Sequence, residues 1–135
     1  MKIDRATLDE IVAHAVRDAP NECCGVVLGR DGSAARARAL ENLAASPFRF
    51  DIDGRELIEY AFAEGDEDAE QLIAIYHSHT RSAPYPSQTD INFAAGWPGV
   101  EWLIIGVSKA GDAEPEARSY LIEGGVIREV ELEVS

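Results

Sequence analysis

The chain has 135 residues, 46% of them hydrophobic, with 25 acidic against 12 basic side chains and a formal charge of −13. That size and apolar content suit one folded domain spanning residues 1–135, and no run of about eighteen apolar residues offers a membrane span. The acidic balance and the lack of any basic run argue against nucleic-acid binding, and the charged start MKIDRATLDE lacks the apolar stretch of a signal peptide, so a cytoplasmic location is expected.

Residues 4–18 read as an amphipathic helix, because Leu8, Ile11, Val12, Ala15 and Val16 recur at helical spacing. Asp4 is a candidate cap, Thr7 with Glu10 offers a capping box one turn later, and Pro20 follows where a helix should stop. Residues 23–28 and 35–40 read as a hairpin around Gly29 and the Asp31-Gly32 turn, and residues 48–52 as a further short strand. Asp53 then caps a helix to about residue 64, with Glu56 at its third position, and the acidic stretch 65–68 is a loop or an extra turn.

Residues 72–79 form a buried strand, and Ser-Ala-Pro-Tyr-Pro at 82–86 excludes regular structure. Ser87 opens a short helix ending near Gly96. Residues 102–107 are another buried strand, and 118–122 with 126–131 flank Gly124-Gly125 as a closing hairpin. This order of elements predicts an α/β domain with a mixed sheet and helices packed on it.

Chemistry concentrates in one stretch, HSHTRSAPYPSQTD. If the strand runs on through His79, the imidazoles of His77 and His79 share a face and Ser78 points to the other. With Asp90 they make three protein ligands, a count that leaves a tetrahedral zinc ion one open position, as in a catalytic rather than a structural site. Ser87 and Asp90 also have the spacing of a helix cap, so both readings stand, and they are compatible: a helix whose first turn faces the strand end would aim Asp90 at a metal. Such a site needs a carboxylate outside the ligand set as general base. Composition does not choose one among 25 acids. Glu22, at the entrance to the strand Cys-Cys-Gly-Val-Val-Leu, is a candidate by position. Cys23 and Cys24 are too close in sequence for an ordinary disulfide. They face opposite ways in a strand, so at most one could join the site, and small buried hydrophobes are the favoured reading of both. His14 lies beside the apolar stripe of the first helix and is expected to be exposed or partly buried, without a functional role.

The pattern His77-Ser78-His79, seven residues, Ser87-x-x-Asp90, preceded by Asn21-Glu22-Cys23-Cys24-Gly25-Val26-Val27-Leu28-Gly29, resembles the JAMM (MPN+) metalloproteases over residues of about 3–130. Within that family, residues 75–80 and 85–90, with Ser119-Tyr120-Leu121-Ile122, are similar to the short bacterial members that act on sulfur-carrier proteins. The resemblance implies a cytidine-deaminase-like fold and zinc held by His77, His79 and Asp90. It further implies Glu22 as the base and Ser87 as donor to the developing oxyanion. The implied activity is hydrolysis of the amide after the C-terminal Gly-Gly of a ubiquitin-like sulfur carrier. Cleavage of another ubiquitin-like protein is the alternative, and a metal-free scaffold of the MPN− kind a more distant one. The insertions with which the eukaryotic members grip ubiquitin chains are absent. The tail is expected to add as a strand to a sheet edge beside the site, with residues 80–86 as the wall of its groove.

Overall fold

The computed structural model describes residues 1–61, 70–107 and 114–135. Among these, the elements in chain order are β1 (Lys2–Ile3), α1 (Arg5–Asp18), β2 (Cys24–Arg30), β3 (Ser33–Leu40), α2 (Gly54–Ala61), β4 (Gln71–His79), α3 (Gln88–Ala94), β5 (Glu101–Gly106), β6 (Glu116–Glu123), β7 (Val126–Val130) and β8 (Glu133–Val134). The strands form one mixed sheet in the order β7-β6-β5-β4-β2-β3-β1-β8, with β4 parallel to β5 and antiparallel to β2. This is the expected α/β arrangement of a mixed sheet with helices. No described helix is long and apolar enough to cross a membrane.

Strand alternation divides the core between two faces. Leu8, Ile11 and Ala15 of α1 pack on one face with Cys23, Val27, Ala74, Tyr76, Leu103 and Ile105. Leu57 of α2 and Ala94 of α3 lie on the other face with Cys24, Val26, Ile75, Trp102, Ile104 and Tyr120. Burying each large apolar side chain contributes about 1.5–3 kcal/mol. In β4 the alternation slips once. Val27 pairs with Ala74 but Leu28 with Leu72, so Ile73 is an extra residue, and both Ile73 and Ala74 meet the α1 face. Beyond this bulge the alternation is regular, which sends Ile75 and His77 to the α2/α3 face.

The helix and hairpin expectations hold in outline. Asp4 caps α1, its side chain accepting from the Thr7 N–H at 2.7 Å. The second box at Thr7 and Glu10 does not form, because Thr7 is already inside the helix and buried. Gly124 and Gly125 both have positive φ, +58° and +78°, which lets two residues close the β6–β7 hairpin. Residues 48–52 are not a strand. Asn42 and the Leu43 N–H, bonded to the Asp51 carbonyl, hold the segment instead, while Phe50 and Ile52 stay buried. Strands β1 and β8 were not anticipated, since two residues carry no periodicity. α2 is described to Ala61, and the stretch 65–68 lies outside the described residues.

Candidate active site

The end of β4 carries His77 and His79 on one face, and Ser78, on the other, is fully buried. The loop 80–86 follows, and α3 then returns so that its first turn meets the strand end. Ser87 is the N-cap of α3. Its Oγ accepts from the Asp90 N–H at 3.1 Å, and its own N–H donates to Asp90 Oδ2 at 2.9 Å. The same Oδ2 lies 3.2 Å from His77 Nε2 and 3.3 Å from His79 Nε2, and the two Nε2 atoms are 3.1 Å apart. Cap and donor cluster are therefore one structure, as the compatible reading anticipated.

Those three distances test the site for zinc. Donor atoms at about 2.0–2.1 Å from a tetrahedral centre stand about 3.3–3.4 Å from one another, close to the edges of this triangle. The tautomer of His79 agrees, while His77 Nδ1 is buried without a hydrogen-bond partner among the described residues. His79 Nδ1 sits 2.8 Å from the Ala83 carbonyl, to which it donates, leaving the Nε2 lone pair of the neutral ring turned inward. Two buried imidazole nitrogens and a carboxylate oxygen facing one point want a cation between them, so the residues fit the metal.

Electrostatics favours the donor forms of His77 and Asp90 and acts against that of His79. Burial pushes His77 down, so it stays neutral, despite the hydrogen bond and charge of Asp90. For Asp90, burial acts upward but its close contacts with His77 and His79 and the Ser87 N–H outweigh it and hold the carboxyl well below the usual range. At His79, burial acts downward and is outweighed by Asp90 and the Ala83 carbonyl, so the ring is raised. Phe50 stacks on the His77 ring at 4.4 Å between centroids and 26°, and Trp102 meets its edge at 6.3 Å, which fixes the imidazole plane.

Glu22 lies just before β2, buried, with a carboxylate oxygen and the two imidazole nitrogens all within 4.8 Å of one another. Asp90 is the closer acid to the histidine pair, and Glu22 stands one step farther out. Burial raises its carboxyl to about 7, with His79 opposing and Asp90 adding. Its backbone is held from outside the sheet: the Glu22 N–H donates to the Ser46 carbonyl at 2.9 Å, and the Glu22 carbonyl accepts from Asn42 Nδ2 at 2.9 Å. Ser78 completes the link, since its Oγ accepts from the Cys23 N–H at 2.8 Å and its N–H donates to the Cys23 carbonyl at 3.2 Å. The Thr80 hydroxyl lies 2.8 Å from the Pro20 carbonyl and 3.2 Å from that of Pro47. Asn42, Phe50, Ser78 and Thr80 thus support the site without belonging to its motif. Nothing in their spacing marks them, because each reaches its partner through tertiary contact.

The other candidates separate. Cys23 packs under α1. Cys24 is on the site's face, paired with His77 across the β2–β4 ladder, but its thiol donates to the Glu41 carbonyl at 3.5 Å. Burial raises the two thiols to about 11 and about 12, so both remain protonated. His14 is buried rather than exposed. Burial lowers it, so the neutral ring accepts from the Tyr76 hydroxyl at 2.8 Å and donates to Asp18 at 3.0 Å, on the sheet face away from the donor cluster.

Two loops frame the cluster. In the loop 80–86, Pro84 packs against Gly106, where a β-carbon would meet the proline ring at 2.9 Å, and the Pro84 carbonyl accepts from the Tyr120 hydroxyl at 2.6 Å. The loop 42–53 presents Phe48, 72% exposed, with the Arg81 guanidinium 5.2 Å over its ring. The two strands at the cluster offer no free edge among the described residues, whereas β3, beyond β2, pairs with β1 only at Ser33 and leaves Ala34–Leu40 without a partner strand on its outer side. β2 and β4 are hydrogen-bonded on both sides, and the sheet's edges are β7 and β8.

Residues 4–123 match the family model described as prokaryotic homologs of the JAB domain. The chain is 36% identical over 124 residues to the CysO-cysteine peptidase of Mycobacterium tuberculosis (strain ATCC 25618 / H37Rv), covering 90% of this chain and 82% of that protein. It is 36% identical over 104 residues to the desampylase of Haloferax volcanii, covering 71% and 73% respectively. The solution structure of a Desulfitobacterium hafniense protein superposes with a TM-score of 0.79 at 31% identity, over 99% of this chain and 92% of that one.

Proposed function

The chain belongs to the prokaryotic JAB-domain (JAMM) family, and from that premise we propose that it hydrolyses the amide after the C-terminal Gly-Gly of a ubiquitin-like sulfur-carrier protein, releasing cysteine or a short C-terminal extension. The chain is a hydrolase, like its peptidase and desampylase relatives. The observation that carries the reading is the convergence of His77 Nε2, His79 Nε2 and Asp90 Oδ2 to within 3.3 Å of each other, with Glu22 beside them. That complete set speaks against a non-catalytic scaffold.

In this proposal His77, His79 and Asp90 hold a zinc ion. When bound, zinc supplies a Lewis acid that brings the ionisation of water from about 15.7 down towards 7. Glu22 takes the proton of the attacking water and delivers it to the leaving amine, and a carboxylate raised towards neutrality by burial suits both transfers. Ser87 has spent an acceptor position on the Asp90 N–H but not its own proton, so its O–H is available to the oxyanion that develops on the scissile carbonyl. The extended tail lies between the loops 42–53 and 80–86. Main-chain pairing of the tail falls to these segments or to the outer edge of β3.

The test is a carrier protein extended by cysteine after its Gly-Gly, incubated with zinc-loaded protein and weighed by mass spectrometry. Loss of the cysteine mass is expected. Replacing the penultimate carrier glycine by valine should slow cleavage by about 10²-fold, because a branched side chain crowds an extended tail lying against the loops 42–53 and 80–86. Ubiquitin chains should be cut poorly. Equal rates on the valine carrier, or efficient cleavage of ubiquitin chains, would favour the second reading, a processing protease for another ubiquitin-like protein, which the desampylase likeness supports.

The cysteines give an independent check. Water is the nucleophile in this scheme and both thiols are buried and protonated, so Cys23→Ser and Cys24→Ala, made separately, should each retain zinc and a substantial part of the activity. Complete inactivity of folded, zinc-loaded Cys24→Ala would show a thiol step in the reaction.

A further inference from the structure

Glu22 precedes β2, and its own backbone groups bond outside the sheet ladder. Its N–H goes to the Ser46 carbonyl and its carbonyl to the side chain of Asn42. Asn42 follows β3 and uses every hydrogen-bonding position of its amide. Nδ2 donates to the carbonyls of Glu22 at 2.9 Å and Arg49 at 3.1 Å, and Oδ1 accepts from the N–H groups of Ala44 at 3.0 Å and Asp51 at 2.9 Å. Arg49 and Asp51 flank Phe50, whose ring stacks on His77. One half-buried amide therefore fastens the backbone of Glu22 to the segment whose ring orients one of the two histidines.

We infer that Asn42 is a positioning residue, setting the distance and angle between Glu22 and the His77–His79–Asp90 cluster. The inference rests on the proposed function for its catalytic consequence, though not for its structural one. Proton transfer depends steeply on placement, and a shift of about 1 Å can cost on the order of 10²-fold in rate. A side chain that holds the main chain of the base, rather than its carboxylate, acts on that placement without touching substrate.

Asn42→Asp keeps the two accepted hydrogen bonds and turns the two donated ones into repulsion between a carboxylate and two carbonyls. Asn42→Ala removes all four without that repulsion. On the carrier–cysteine adduct, each variant should lower kcat by about 10–10²-fold with little change in KM, while zinc stays stoichiometric. In the background of Glu22→Gln, Asn42→Asp should cost almost nothing further, because a misplaced base that cannot accept a proton has no more to lose. By NMR, the Glu22 amide should exchange at least about tenfold faster in Asn42→Asp, while those of Val26 and Ile75 in the sheet should not change. A full additional loss in the double variant would overturn the inference, as would an unchanged Glu22 amide or the failure of both variants to fold. Inactivity of the unaltered protein on every adduct would instead refute the proposed substrate, and the exchange measurement would still decide the role of Asn42.

Discussion

Glu22→Gln is expected to lower kcat by about 10²–10⁴-fold, the usual worth of general acid–base catalysis, while the protein keeps its fold and binds one zinc per chain. Glutamine nearly matches glutamate in shape, and the backbone bonds that place residue 22 come from Ser46 and Asn42, so they survive the change. What is lost is the capacity to take a proton. Burial raises the carboxyl, so a neutral amide is also no harder to bury. The measurement is turnover of the carrier–cysteine adduct alongside zinc by elemental analysis. Near-normal turnover would mean that another carboxylate is the base. Loss of zinc would place Glu22 among the ligands, which its distance to the histidine pair allows in principle but which the closer approach of Asp90 argues against.

His77→Ala and Asp90→Ala are expected to abolish both zinc binding and turnover. Each removes one corner of a three-atom donor set, and two donors do not hold zinc against the fourfold coordination it prefers. The two variants differ in their side effects. His77 is fully buried between Phe50 and Trp102, so its loss also opens a cavity. Asp90 closes the capping box of α3, so its loss costs about 1 kcal/mol through the cap. Asp90→Asn separates the roles, because an amide oxygen can still accept from the Ser87 N–H but brings no charge to the cluster. This variant should approach the stability of the metal-free parent yet remain poor in zinc. Full zinc occupancy in any of the three, by elemental analysis, would refute the ligand assignment.

The residues whose meaning was legible in the sequence are those tied together locally. His77 and His79 face one way because β4 alternates beyond its bulge, and Asp90 joins them because a capping box has a fixed shape. Both are short-range rules. Position made Glu22 only one candidate among many acids and the resemblance singled it out, since its link to the cluster depends on which strand lies beside β4. The failures share a cause. Residues 48–52 alternate like a strand but are held by the side chain of Asn42, and tertiary contact overrides the local pattern. His14 looked peripheral on its helix, yet Tyr76, sixty-two residues away, buries and bonds it. The edge sought for the substrate tail is not on β4 itself, since β2 lies between β3 and β4, and the unpaired outer side is that of β3.

The donor triangle and Glu22 also differ in when they can meet. His77 and Asp90 are thirteen residues apart, within one strand, loop and helix start. The chain beside Glu22 reaches β4 only across a separation of fifty-five residues, from Cys23 to Ser78. Closing the longer loop is the entropically costlier event and tends to come later in folding. A nascent or partly unfolded chain can thus carry its three donor residues close together while Glu22 is still elsewhere. On the proposed reading, hydrolysis therefore waits for the finished sheet, because the donor triangle alone lacks the carboxylate beside it.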